Sequence, residues 1–372
     1  MDRPKRTGHI DALDGLRGLA AAVVLIGHVN AALATPATVL DSIRHGPLAI
    51  LISGSSAVHL FFILSGFCLA ASASRSTSIS DLAQYFVRRV FRIHPPYMFA
   101  LLATWGASFF YDTTRAAGGL TPWMLGLASV HVPVADLLLY LAWPGTAGKQ
   151  LPVAWSMAVE MVYSLALPTM MWLTRRSHWT LLLMISAWPM FDLDFQPSIL
   201  KFGFQFTLGI ALHIERERLS AWFGRVRGVR AVAFVTAGLA LFGANTALGL
   251  HYRVSGPFVS AAGGTALVCA ALFIPGVRTA LSARALVYFG RISYSFYLLH
   301  FTVLILVSRM IRGPASLQDA SLLLLGSFVA TTLCAALTHR IVERPSIALG
   351  NSICRRVARS SGGAVRLSGL VP

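Results

Sequence analysis

The segment DALDGLRGLAAAVVLIGHVNAALA, residues 11–34, decides the fold. A membrane-spanning helix needs about 20 mostly apolar residues, and this run supplies them. It also carries Asp14, Arg17 and His28, which the hydrophobic region of a signal peptide would not contain. We therefore expect no cleavage after Ala34, and we interpret the run as the first helix of a membrane protein.

The composition of the whole chain agrees with the membrane class. Of its 372 residues, 56% are hydrophobic and only 12% are charged, whereas soluble proteins carry about 25% charged residues. The formal net charge is +17. The basic residues stand between apolar runs, where they meet anionic lipid headgroups, and no basic stripe interleaved with aromatic residues indicates nucleic-acid binding.

Hydrophobic runs predict an all-α, polytopic helix bundle with about ten transmembrane helices. The predicted spans are residues 11–34, 48–72, 95–111, 152–173, 178–192, 197–214, 231–250, 256–275, 286–308 and 319–341. An eleventh apolar run, 120–142, is broken by Pro122, Pro133 and Asp136. We interpret it as a re-entrant or interfacial segment on the outer side.

The basic residues predict the orientation. With ten spans and a cytoplasmic N-terminus, 21 of the 31 lysines and arginines lie in inside segments, six lie outside and four lie within spans. Such an excess follows the positive-inside rule and predicts cytoplasmic N- and C-termini. Residues 1–345 form one membrane domain, and the basic, Ser/Gly-rich residues 346–372 are expected to be a disordered cytoplasmic tail. The four cysteines predict neither a disulfide nor a metal site.

Polar residues inside the predicted spans are the candidate functional residues, because burying them in lipid is costly. Arg17 and His28 are 11 residues apart, which places both on one helix face, about 16 Å apart along the axis. Histidine can accept and return a proton near neutral pH. A structural histidine and an arginine that reaches the headgroups are the alternative interpretation.

The segment YFVRRVFRIHPPY at residues 85–97 predicts a cationic helix face. Arg92 follows Arg88 by four residues and Arg89 by three, so the three guanidinium groups cluster. Arginine binds phosphate through paired hydrogen bonds, so the cluster is a candidate phosphate site. Binding of the helix to anionic lipid is the alternative.

Two further segments add polar groups. In AWSMAVEMVYS, residues 154–164, Ser156 and Glu160 share a face, and we expect Glu160 to orient His28. Pairing of Glu160 with a neighbouring arginine is the alternative. In GRISYSFYLLH, residues 290–300, Tyr297 and His300 share a face and Tyr294 is adjacent, so these side chains either line a polar cavity or join helices.

Together these stretches resemble the acyltransferase 3 family of bacterial membrane acyltransferases. They are LDGLRGLAAAVVLIGH, HLFFILSGF, VRRVFRIHPPY, AWSMAVEMVYS, GRISYSFYLLH and the closing VERP, in the family's order from residue 13 to 345. Two departures are His59, where relatives often have an acidic residue, and the end of the chain at 372, without the SGNH-type domain of longer relatives.

The resemblance implies an enzyme of the bacterial inner membrane that takes an acyl group, usually acetyl, from cytoplasmic acyl-CoA. The acceptor is implied to be a hydroxyl of an extracytoplasmic polysaccharide, lipopolysaccharide or oligosaccharide. No permanently bound cofactor is expected.

The family's motifs place catalysis on Arg17, His28 and Glu160 and donor binding on Arg89 and Arg92, beside Arg88. Ser156, Tyr294, Tyr297 and His300 are the candidate substrate-binding residues. Direct transfer and an acyl-histidine relay both stay open, as does the oligomeric state. A transporter using the same residues as a proton or substrate path is the alternative function.

Overall fold

The protein is all-α in the computed structural model, which describes residues 10–34, 37–74, 78–110, 119–176, 179–188, 198–250, 255–311 and 316–367. No β-strand occurs in these ranges, and one isolated bridge joins Leu33 to Leu120. The helices are α1 Asp11–Ala32, α2 Ala37–His45, α3 Gly54–Ala73, α4 Ile79–Ser108, α5 Pro122–Ala128, α6 Val134–Ala142, α7 Ala154–Arg176, α8 Trp179–Ala187, α9 Gly203–Ile214, α10 Arg216–Phe223, α11 Val229–Ala247, α12 Ser255–Phe273, α13 Pro275–Leu281, α14 Arg284–Ser308, α15 Leu317–Ser321, α16 Ser327–Thr338 and α17 Arg344–Leu367.

Six helices are long and apolar enough to cross a membrane: α1, α3, α11, α12, α14 and the continuous helix Gln318–Ala358. They correspond to six of the ten predicted spans. The other four fall on α4, α7, α8 and α9. Among the described residues, α8 and α9 have only 9 and 12 residues, whereas α4 and α7 have 30 and 23 but contain prolines and charged side chains. The structure therefore establishes a multi-pass bundle without establishing a count of ten.

The run at 120–142 forms two short helices rather than one span. Pro122 starts α5 and Pro133 caps α6, and the two helices have 7 and 9 residues, too few to cross a bilayer. Hydrogen bonds attach α5 to the end of α1: the Thr121 amide donates to the Ala32 carbonyl at 2.9 Å, and its hydroxyl donates to the Ala31 carbonyl at 2.9 Å.

Glycines let the central helices approach to backbone contact. A Cβ on Gly290 of α14 would lie 1.9 Å from the Asp14 carbonyl oxygen of α1, and one on Gly66 of α3 would lie 2.2 Å from the Phe206 carbonyl oxygen of α9. Small residues at such crossings are the usual means of packing membrane helices. The contact at Gly290 fixes α1 against α14, the two helices that carry His28 and His300.

The C-terminal segment differs from its prediction. A disordered tail was expected from residue 346, but α17 runs from Arg344 to Leu367 and packs against α4. It continues the helix of α16 through a π-helical turn at His339–Glu343. Disorder was predicted because residues 346–372 are basic and contain no long apolar run. The helix is instead amphipathic and buries one side, including Cys354.

Candidate active site

A cavity of about 500 Å³ opens among α1, α3, α4, α7, α14 and α17. Pockets of this size hold small molecules. Its polar and charged lining is formed by Asp14, Arg17, Ser65, Ser72, Tyr85, Arg88, Arg89, Arg92, Ser156, Glu160, Ser293, Tyr294, Tyr297 and Asn351. Eight of the ten candidate residues line this cavity, and the two that do not are His28 and His300.

Glu160 pairs with Arg89, not with His28. The Arg89 Nη2 group donates to Oε1 of Glu160 and, at 2.9 Å, to Oγ of Ser164. Ser164 in turn donates to the Glu160 backbone carbonyl at 2.6 Å. The expectation that Glu160 orients His28 is therefore wrong in this structure. The face of α7 was inferred correctly, but the sequence does not say that α4, rather than α1, supplies the partner.

The other two arginines of α4 differ in their hydrogen-bond partners. Arg88 donates to the carbonyl oxygen and to the side-chain oxygen of Gln84, both at 3.1 Å. Arg92 is exposed and makes no hydrogen bond or ion pair with any residue the structure describes. Of the three, Arg92 is thus the guanidinium group most available to an anionic ligand in the cavity.

Arg17 lies on the cavity wall, as its helix face predicted. Its Nη1 group contacts Oδ1 of Asp14 at 3.0 Å, and Nη2 lies 3.7 Å from the sulfur of Cys68. His28 is on the same helix but does not line the cavity. The 11 residues between them correspond to about 16 Å of helix, so the two side chains occupy different levels of the bundle.

His28 and His300 form a hydrogen-bonded pair. Nδ1 of His28 lies 2.9 Å from Nε2 of His300, and Nδ1 of His300 lies 2.6 Å from the Tyr297 carbonyl oxygen. A carbonyl only accepts, so His300 must carry its hydrogen on Nδ1 and, in the neutral ring, accept at Nε2. His28 then donates from Nδ1, which leaves Nε2 of His28 as an unprotonated, basic nitrogen.

Aromatic rings enclose this pair. The His28 ring lies 4.4 Å from that of Phe301 and 6.2 Å from that of Trp123, measured between centroids. Trp123 belongs to α5, the short helix attached to the end of α1. The histidine is consequently packed against protein on several sides, and the outer segment contributes one of its neighbours.

Tyr297 separates the cavity from the histidine pair. Its hydroxyl lies 2.9 Å from Oγ of Ser156, which itself donates to the Val153 carbonyl at 2.8 Å. Because a serine has one hydrogen, Tyr297 must be the donor to Ser156. Both side chains line the cavity, and the Tyr297 ring is 5.6 Å from that of His300. These two hydroxyl groups thus lie on the part of the cavity wall next to His300.

Tyr294 also lines the cavity, but its hydroxyl is already used. It donates to the Ile93 carbonyl at 2.7 Å and so joins α14 to α4. Among the predicted polar residues of α14, the structure thus brings Tyr297 and His300 to the histidine centre and gives Tyr294 a bond between helices.

Two polar residues near the site were not among the residues predicted from the sequence. Ser164, four residues after Glu160, completes the Arg89 site, and helical spacing from Glu160 was a usable signal. Glu343 is buried and accepts from Ser295 at 2.8 Å, with Nδ1 of His339 at 3.0 Å. It lies in the closing VERP stretch, but nothing in the spacing connects it to Ser295.

Comparisons with known proteins identify the family of the chain. The acyltransferase 3 model, described as an acyltransferase domain, matches residues 10–340. Acyltransferase MdmB of Streptomyces mycarofaciens is 27% identical over 385 residues, spanning 93% of this chain and 94% of that protein. No solved structure matches significantly. These matches favour an acyltransferase over the alternative of a transporter. Since the family model covers most of its length, the chain belongs to the acyltransferase 3 family and is a membrane acyltransferase.

Proposed function

We propose that the protein transfers an acyl group, acetyl by default, from cytoplasmic acyl-CoA to a hydroxyl of an extracytoplasmic glycan or glycolipid. The observation that carries this proposal is the position of Tyr297. Its hydroxyl faces the arginine-lined cavity, and its carbonyl holds His300, the partner of His28. The proposed donor site and a basic nitrogen thus lie at neighbouring levels of one helix bundle.

The proposed orientation places the cavity mouth in the cytoplasm. The basic residues of α4 and α17 lie on the side that the positive-inside rule assigns to the bacterial cytoplasm. In this arrangement α4, α7 and the segments around α8 and α9 complete ten spans, and α5 and α6 lie at the outer face. Both chain termini are then cytoplasmic.

Arginines would hold the donor's phosphates. Arg92 has no competing partner among the described residues, and Arg88 lies one turn before it on the cavity wall. Glu160 neutralises the charge of Arg89. Arg89 therefore contributes to the shape of the site and offers the N–H groups that remain free of Glu160 and Ser164. The pantetheine arm would follow the face of α1 that carries Arg17 toward Tyr297.

His28 is the proposed general base. The acceptor hydroxyl gives its proton to Nε2 of His28 as its oxygen attacks the thioester carbonyl carbon. The carbon–sulfur bond then breaks, and the CoA thiolate takes the proton from the imidazolium. Overall, one thioester and one alcohol are converted into one ester and one thiol. An acyl-histidine relay through the same nitrogen is the variant of this route.

Tyr297 is the proposed donor to the developing oxyanion. Its ring is 5.6 Å from His300, whereas Arg17 lies about three helical turns from His28. The bond from Tyr297 to Ser156 closes the inner end of the cavity. Arrival of the thioester therefore requires this bond to break, which frees the hydroxyl for the reaction.

The test uses purified protein reconstituted in vesicles with acetyl-CoA labelled in the acetyl group. We expect release of free CoA, and label in the acceptor fraction, only when envelope glycans from the native host are supplied on the opposite side. His28→Ala should insert normally and transfer nothing. Full transfer by this variant would refute the proposed base.

The acceptor is identified by comparing surface glycans of a deletion strain and its parent by mass spectrometry. We expect glycans of the deletion strain to lack acyl groups that the parent carries. Unchanged glycans and glycolipids in the deletion strain would refute the proposed acceptor class while leaving the donor reaction standing.

A further inference from the structure

The C-terminal helix α17 forms part of the cavity wall. Its Gly350 packs so closely on α4 that a Cβ there would lie 2.7 Å from Cβ of Phe91. One turn later, Sγ of Cys354 lies 3.5 Å from the Gln84 carbonyl oxygen. These contacts hold α17 at a fixed distance from the arginine-bearing helix, so its side chains have defined positions at the cavity rim.

Two residues of α17 line the cavity. Ile347 and Asn351 are four residues apart and therefore lie on one face of the helix. Asn351 is half-buried, and its side chain makes no hydrogen bond with any described residue. Its carboxamide thus offers one acceptor and two donor hydrogens to whatever occupies the cavity.

The surroundings of this face favour a nucleotide. Arg88 and Arg92 line the same cavity and supply positive charge for phosphate groups. Adenine has a flat apolar face and an edge with an amino donor beside a ring-nitrogen acceptor. Asparagine matches that edge with two hydrogen bonds, whereas an aliphatic side chain such as Ile347 suits the face.

We infer that Ile347 and Asn351 of α17 form the subsite for the adenine base of the acyl donor, with Asn351 reading the edge of the base. The inference rests on the proposed function, in which the donor is acyl-CoA. It adds that the segment expected to be a disordered tail is a binding element, and that the enzyme distinguishes a CoA donor from donors without the adenosine.

The experiment measures equilibrium binding of two probes, CoA and 4′-phosphopantetheine, to the purified full-length protein. The variants are Asn351→Ala and, as a matched control on the same helix, Ser352→Ala, since Ser352 does not line the cavity. We expect Asn351→Ala to weaken CoA binding about tenfold, the value of one bidentate asparagine–adenine contact. Binding of 4′-phosphopantetheine should not change, which also shows that the variant is folded.

Several outcomes would overturn the inference. Equal CoA affinity of Asn351→Ala and the unaltered protein would remove the assigned contact. An equal loss for both probes would move Asn351 to the pantetheine arm, and a similar loss in Ser352→Ala would make the effect one of helix packing. CoA binding with this pattern but without acyl transfer would refute the proposed function alone, and failure of the unaltered protein to bind CoA would refute both.

Discussion

Nδ1 of His28 donates a hydrogen bond to Nε2 of His300, 2.9 Å away. His300 belongs to α14, which also carries the cavity-lining Tyr297. This bond fixes which nitrogen of His28 is basic. His300 is itself held by the Tyr297 carbonyl, so the orientation is set by the backbone of α14. In many hydrolases a carboxylate orients the catalytic histidine. In this protein a second histidine orients His28, the proposed base.

Replacing His300 tests its role as a positioning residue. His300→Ala leaves His28 free to adopt the other tautomer, so we expect kcat to fall about 10-fold to 100-fold with an unchanged donor KM. His300→Gln, whose carbonyl oxygen can accept from Nδ1 of His28, should recover part of the loss. Steady-state kinetics with labelled acetyl-CoA measure both variants. A kcat equal to that of the unaltered protein in His300→Ala would exclude the role.

The Arg89–Glu160 pair should behave as a unit. Both side chains are largely buried, and removing one partner leaves an uncompensated charge that costs about 3–5 kcal/mol when burial is complete and less here. We expect Arg89→Ala and Glu160→Ala each to lower the thermal midpoint, and the double variant to lower it by less than the sum. Thermal unfolding in detergent gives the comparison. Simple additivity would show that the two groups do not interact.

Arg92 should control donor affinity more than stability. It is exposed to the cavity and has no partner among the described residues, so its replacement breaks no internal contact. We expect Arg92→Ala to raise the donor KM about tenfold or more, consistent with the loss of a charge-assisted contact to phosphate, and kcat to change little. Arg355→Ala, on the exposed side of α17, is the charge-matched control. Equal effects of both would indicate a general attraction to lipid or donor instead.

The contact between α1 and α14 depends on Gly290. A methyl group there would lie 1.9 Å from a backbone oxygen of α1, so Gly290→Ala must push the two histidine-bearing helices apart. We expect a lower thermal midpoint and strongly reduced transfer. Gly106→Ala is the control, because nothing lies within 4 Å of its Cβ position and alanine favours helix. The prediction fails if both variants are equally stable and active.

Hydrophobicity predicted the fold class because lipid requires long apolar helices, and α1 and α14 match their predicted spans to within two residues at each end. The same rule is weak for α4 and α7. Their charged groups are paired within the bundle, as Arg89 and Glu160 show, so the cost that hydropathy assigns to them is partly offset. The count of spans is therefore the part of the fold least accessible from sequence.

Within the site, helical spacing predicted which side chains share a face but not which neighbouring helix they meet. Glu160 and His28 both face inward, yet Glu160 meets α4 and His28 meets α14. The α17 helix was missed for a related reason. Its packing against Phe91 and Gln84 depends on a tertiary partner, whereas its composition alone resembles a solvated segment.

The closure at Tyr297 and Ser156 has a consequence for the cell. In the proposed reaction the enzyme takes a thioester from the cytoplasm and serves an acceptor outside, so it risks becoming a leak for ions and protons. The bonded hydroxyl groups of Tyr297 and Ser156 line the arginine-bearing cavity, whereas His28 does not. If acyl transfer follows the proposed route, we expect this bond to keep the bilayer's permeability barrier between turnovers, so that only the passage of the acyl group interrupts it.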